Sequence, residues 1–312
     1  MRTAGSGQTN EEEIMKIRVV VILLISLIAS HSLSQSAYAD ASTLNAILHA
    51  KGTYIAIGYD GTILSGPTRA AMTRRNSGTG SALFGILYEK DMFIVVGGDG
   101  TILTSSDLNT WTAQNSGTSS SLYNIIYSGG KFIAFGGDGT LITSVDGMTW
   151  SPGRTGTQST IKSMLYKNGR YIAVGGDGVI LTSHDAVSWT SQNSGTNSTL
   201  IGIASFGNRF AAFGGDGTVV VSQDGNTWTS KNIGASNTIY AAIYAKSMFV
   251  VVGADGMVMT SPDGQDWTKE NSGTQSTLRG ITVKDDAFVA IGNDGVIIRS
   301  QDGKNWTFIQ GN

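Results

Sequence analysis

One string returns along the chain at a fixed interval. It reads "GGDGTILTSSDLNTW" at 97–111, "GGDGTLITSVDGMTW" at 136–150 and "GGDGVILTSHDAVSW" at 175–189. Its Asp-Gly pair begins at Asp60, Asp99, Asp138, Asp177, Asp216, Asp255 and Asp294, every step being 39 residues. Trp111, Trp150, Trp189, Trp228, Trp267 and Trp306 keep the same step, and Met72 holds the place one unit earlier. A period of this size constrains the fold more than composition does, because each unit has to bury its apolar faces against its neighbours.

Within one unit the pattern predicts four short strands. "LYNIIY" (122–127), "FIAFG" (132–136) and "TLITS" (140–144) are apolar runs, and a fourth strand begins at "TWS" (149–151). "SGGK", Asp138-Gly139 and "VDGM" separate them, and Asp-Gly is a strong signal for a two-residue hairpin turn with positive φ at both positions. Four antiparallel strands per unit of this length imply a propeller blade. The expected fold is therefore an all-β, seven-bladed β-propeller of four-stranded antiparallel blades, each built from one continuous repeat. The alternative is a solenoid. Helical repeats fit poorly with 42 glycines, since glycine weakens helices. The phase of the repeat predicts no strand exchange at closure, leaving the seam to side-chain packing between blades one and seven.

The first 39 residues lie outside the repeat. Residues 15–39 read as a signal peptide: Lys16 and Arg18, the apolar run Val19–Ala29, and Ala37-Tyr38-Ala39 before the cut. The run is shorter than the roughly 20 residues of a spanning helix. Residues 1–14 fit no such signal and read as an extension or a mis-assigned start, with Met15 as initiator. Cleavage after Ala39 leaves residues 40–312 as a single propeller of 273 residues, seven times 39. A periplasmic or secreted bacterial protein is expected, a monomer without a membrane span once the signal is removed.

The segment Ser144-Val145-Asp146-Gly147-Met148-Thr149-Trp150 resembles the Asp-box, or bacterial neuraminidase repeat. Similar copies are Ser105–Trp111, Ser183–Trp189, Ser222–Trp228, Ser261–Trp267 and Ser300–Trp306. They are one residue shorter than the family pattern, and Leu108 and Ala186 replace the turn glycine. The resemblance implies a structural turn between third and fourth strands, with Asp107, Asp146, Asp185, Asp224, Asp263 and Asp302 as braces. Trp111, Trp150, Trp189, Trp228, Trp267 and Trp306 would fill the blades. The chain is also similar to the exported propellers of the photosystem II stability and assembly factor family, although it lacks an arginine-rich patch.

Catalysis finds little support in the residues. The sialidases that share the box use an arginine triad and a Tyr/Glu pair. Beyond residue 39 the chain has only two glutamates, Glu89 and Glu270, at unrelated places in the repeat. His49 and His184 fall at different levels of different units and form no metal or triad set. Asp285-Asp286 reads as a solvated turn. The chain has no cysteine and a formal net charge of -2, so thiolate chemistry is excluded and no basic nucleic-acid surface is implied. No enzyme activity, cofactor or metal is expected.

Two binding functions remain: a protein-binding scaffold and a multivalent lectin-like module. The "NSGT" loops at Asn76, Asn115, Asn193 and Asn271 admit repeated glycan sites or simple inter-blade turns. Comparing the units with one another singles out a variable column on the first strand: Asn45, Phe84, Tyr123, Lys162, Ile201, Tyr240 and Arg279. The column behind it stays small. An up-and-down blade puts the variable column on the face of the inter-blade loops and Asp-Gly turns, around the channel mouth. Aromatics mixed with Lys and Arg are interface anchors, and a protein or glycan partner is expected there.

Overall fold

The computed structural model describes residues 44–68, 71–293 and 296–308. The expected signal segment, its cleavage site and Asp294 lie outside them.

Blade one comprises β1 (Leu44–Ala50), β2 (Thr53–Gly58), β3 (Ile63–Gly66) and β4 (Thr73–Arg75). Blade two comprises β5 (Leu83–Glu89), β6 (Met92–Gly97), β7 (Ile102–Ser105) and β8 (Thr112–Gln114). Five more blades follow the same plan, and every sheet consists of four strands consecutive in the chain. The fold is a seven-bladed β-propeller in which no strand is exchanged between the first and last repeats.

The second strand of each blade is buried on both faces, which explains its near-continuous apolar run. In blade three, Phe132 and Ala134 pack with Ile94 and Val96 of blade two. Their alternates, Ile133 and Phe135, pack with Tyr171 and Ala173 of blade four. Apolar clusters of this kind join blades one and two, four and five, five and six, and six and seven.

The first and last blades depart from this pattern. Leu44, Ala56, Leu64 and Met72 of blade one form a cluster of their own, and among the described residues none of the apolar clusters joins blade one to blade seven. Ile297 of blade seven is 37% exposed, whereas its equivalents in the other blades, Ile63, Ile102, Leu141, Ile180, Val219 and Val258, are at most 2% exposed. Blade seven also carries Arg299 where the others have Ser, Thr or Val.

The Asp-Gly turns are left-handed two-residue turns. Asp99 has φ 53° and ψ 32°, Gly100 has φ 67°, and Thr101 N donates to Gly98 O at 2.9 Å. The glycine ahead of each turn is fixed by crowding. A Cβ on Gly136 would stand 1.9 Å from Ser121 O.

Candidate functional site

The variable column owes its direction to a backbone irregularity repeated seven times. In blade two, Leu83 pairs with Gly97 and Gly85 with Val96, which leaves Phe84 as an inserted residue. The same break falls at Asn45, Tyr123, Lys162, Ile201, Tyr240 and Arg279. Each first strand thus carries a β-bulge, a device that re-aims a side chain out of the ladder. The next residue, in the small column, faces the wall: a Cβ on Gly85 would lie 3.0 Å from Asn124 Cα of the neighbouring blade.

Within two groups, the bulged side chains touch one another. Tyr59, in the Asp-Gly hairpin of blade one, stands edge-on to Phe84 at 6.3 Å, and Phe84 lies 5.2 Å from Tyr123. Lys162 Nζ sits 5.1 Å over the Tyr123 ring. Farther on, Arg279 stacks at 4.4 Å over Tyr240, while its Nε donates to Asn293 Oδ1 at 3.2 Å. Tyr123 and Lys162 are exposed, and Phe84, Ile201, Tyr240 and Arg279 are half-buried. Asn45 stands apart, buried with its amide donating to Leu83 O at 2.9 Å. Two arcs result, one aromatic with a terminal ammonium and one tyrosine capped by a guanidinium. Cations over aromatic faces hold both groups in place at little entropic cost to a binding partner.

The inter-blade loops frame this face. Ser120 Oγ donates to Asp138 Oδ2 at 2.9 Å, and Ser81, Ser159 and Ser198 make the same bond to Asp99, Asp177 and Asp216. The turn aspartates therefore also lock the loop to the blade, a role the hairpin signal does not reveal. In the "NSGT" loop, Asn115 Oδ1 accepts from Gly117 N, Ser116 Oγ donates to Thr118 O, and Thr118 Oγ1 accepts from Ser120 N. Asn76, Asn193 and Asn271 accept in the same way. The polar groups of these loops are largely engaged in their own turns.

On the opposite face lie the turns between third and fourth strands. Asp146 Oδ1 accepts from the backbone N–H groups of Met148 and Thr149, both at 2.8 Å, and from Ser144 Oγ; Ser144 Oγ in turn accepts from Gly147 N. Asp107, Asp185, Asp224, Asp263 and Asp302 accept the corresponding backbone bonds. These donors stabilise the carboxylate. They hold Asp146, Asp185 and Asp224 at a pKa of about 2 and lower Asp107, Asp263 and Asp302 as well. Trp150, Trp228, Trp267 and Trp306 donate Nε1–H to the carbonyl of the turn glycine. In the two turns with Leu108 and Ala186 in that place, both at positive φ, the Nε1 atoms of Trp111 and Trp189 are buried and make no hydrogen bond.

Other residues considered from the sequence do not converge. His49 packs on Tyr54 at 4.4 Å, and His184 Nδ1 lies 3.1 Å from Gly169 O. Glu270 accepts from Thr260 Oγ1. Asp285 and Asp286 both have positive φ in a tight turn, and Asp286 pairs with Lys246 at 3.2 Å. Among the described residues no three His, Asp or Glu side chains come together as a metal site, and no helix is long and apolar enough to cross a membrane.

No family model matches this chain, and no curated protein sequence matches it. Solved structures match its fold. The computationally designed Ika8 protein aligns with a TM-score of 0.68 and 20% identity, over 86% of this chain and 84% of its own. YCF48 bound to a D1 peptide aligns with a TM-score of 0.61 and 16% identity, over 81% and 91% of the two chains. The C-terminal WD40 domain of Sif2 aligns at 0.65 and 13% identity, over 86% and 82%. At these identities the likeness shows the propeller fold alone.

Proposed function

We propose that this chain is an exported, non-catalytic propeller that binds a protein partner on the face bearing the seven bulges. The observation that carries the reading is the bulge column. Each blade re-aims one residue out of the ladder, and that residue varies from repeat to repeat. Its aromatic and cationic groups are those enriched in protein interfaces. The structural neighbours are compatible with such a role, since YCF48 was solved with a peptide bound. Export rests on the basic, apolar and Ala-x-Ala segments of residues 15–39. The absence of catalysis rests on carboxylates and histidines that serve turns or stand apart.

The test is recovery of a partner from envelope extract with the wild-type chain and with a combined Phe84→Ser, Tyr123→Ser and Tyr240→Ser variant. Loss of the partner from a folded variant supports the reading, and equal recovery refutes it. A glycan array supplies the contrast, because several equivalent saccharide sites would favour the lectin. The self-satisfied "NSGT" loops argue against that outcome. Intact mass of the native protein should place its N-terminus at Asp40, and a full-length cytosolic chain would refute export.

A further inference from the structure

Each blade serves as a control for its neighbours, and two junctions break the pattern: at blades one and two Lys51 pairs with Asp91 instead, and at blades five and six no cation among the described residues closes the gap. Where blades meet on the face opposite the bulges, a cation from the first hairpin of one blade reaches the third-to-fourth-strand turn of the next. Lys131 donates to Asp185 O at 2.9 Å, and Arg170 donates to Asp224 O at 2.9 Å and to Asn226 Oδ1 at 2.8 Å. Lys90 and Lys246 make the equivalent clamp one residue over, to Val145 O and Gln301 O. By the 39-residue step, Arg209 should clamp Asp263 O. It does not. Its guanidinium lies 5.9 Å over the Phe206 ring and forms no ion pair with Asp263.

Several sequence departures coincide there. Phe206 stands where other blades carry Ala, Glu, Ser or Lys. Its ring sits edge-on to Phe249 at 4.2 Å and beside Tyr244 at 5.1 Å. Of the turn pair Gly207-Asn208, only Gly207 has positive φ, whereas in the other six first hairpins both turn residues do. That is the pattern of a type II′ turn among type I′ turns. Pro262 and Asp266 replace the residues beside Asp263, so no threonine is present there to donate to the second carboxylate oxygen, as Thr227 does to Asp224 Oδ2. The unclosed junction is a cleft of about 390 Å³ lined by Phe206, Arg209, Gln223, Tyr244, Pro262 and Asp263.

The depression is open to solvent, and its groups specify what kind of small molecule it would hold. A guanidinium presents paired donors to a carboxylate. The Oδ2 of Asp263 suits an ammonium. Phe206, Tyr244 and Pro262 provide an apolar wall. We infer that the cleft between blades five and six binds a free α-amino acid with an apolar side chain, its carboxylate on Arg209 and its ammonium on Asp263. This site lies on the other face from the proposed protein interface and does not depend on it.

The experiment is protein-observed NMR titration of the folded chain with L-phenylalanine, with 3-phenylpropanoate lacking the ammonium, and with 2-phenylethylamine lacking the carboxylate. L-Phenylalanine should move the amides of Gly207, Asn208 and Arg209 saturably. Each single-charge analogue, and the Arg209→Gln variant, should bind at least about tenfold more weakly, the scale of one lost charged hydrogen bond. Arg170→Gln, which opens a clamp elsewhere, should bind like the wild type. No saturable shift at these amides overturns the inference. So does equal affinity for either analogue, or equal affinity in a folded Arg209→Gln variant.

Discussion

One column recurs in all seven blades and another in six of them, and the repeats treat the two in opposite ways. The Ser–Asp turn between third and fourth strands is nearly constant, and its groups are consumed internally: a carboxylate caps backbone N–H groups, a serine caps the carboxylate, and an indole closes the turn. The first-strand bulge is constant in backbone and variable in side chain, and its groups point away from the ladder. A repeat keeps what holds the blade together and is free to vary what the bulge presents. Under the proposed function, folding and recognition fall to different faces.

The largest expected effect tests the constant column. Trp150 is buried in the cluster joining blades two and three. Trp150→Ala should cost about 3–5 kcal/mol, as for other large-to-small core changes, measured by urea unfolding. A loss below about 1 kcal/mol would mean the indole is not core.

Acid should act on the same column through all six turns. The folded carboxylates have lowered pKa values, about 2 for Asp146, Asp185 and Asp224, against an ordinary 3.8. A depressed folded pKa gives stability that is full above the unfolded value and is lost as pH falls through the folded one. The melting temperature should therefore fall between about pH 4 and pH 2. Asp146→Asn should flatten that dependence, and an unchanged slope would remove Asp146 from the account.

Two glycine exchanges should have opposite signs. Gly147 has φ 77°, and a Cβ there would lie 2.4 Å from Met92 Cε, so Gly147→Ala should destabilise by more than about 1 kcal/mol. Ala186 already occupies φ 61° at the equivalent place, fully buried. Ala186→Gly removes the left-handed penalty and should stabilise by up to about 1 kcal/mol. Thermal unfolding of both variants checks the pair, and the same sign in both would break the equivalence of the turns.

Much of this was legible in the repeat, for a physical reason. A 39-residue period, an Asp-Gly turn and an indole at fixed phase leave few ways to bury both faces of each sheet, so strand order and blade number followed from sequence. The bulge was not legible, because a one-residue insertion in the pairing has no residue type of its own. Only its outcome showed, a variable position such as Tyr123 beside a small one. Asn45 belongs to that column by spacing, yet its short amide reaches the main chain at Leu83 and stays buried. Strand phase says nothing about side-chain fit between the first and last blades, and Arg299 and the exposed Ile297 mark where blade seven departs from the others. The cleft at blades five and six did leave a trace, since Phe206 and Pro262 depart from their columns.

The smallest effect on stability should come from the bulges, and it leads to the central test. Replacing the half-buried and exposed rings of Phe84, Tyr123 and Tyr240 should change folding far less than Trp150→Ala, while abolishing partner recovery. The most direct measurement places a photo-crosslinking phenylalanine analogue at Tyr123, on the bulge face, or at Met148, exposed on the Ser–Asp turn of the same blade. Irradiation in envelope extract should yield one discrete adduct from position 123, competed by unlabelled wild-type chain, and none from position 148. A competed adduct from position 148 with none from 123 would put the interface on the opposite face and contradict the account.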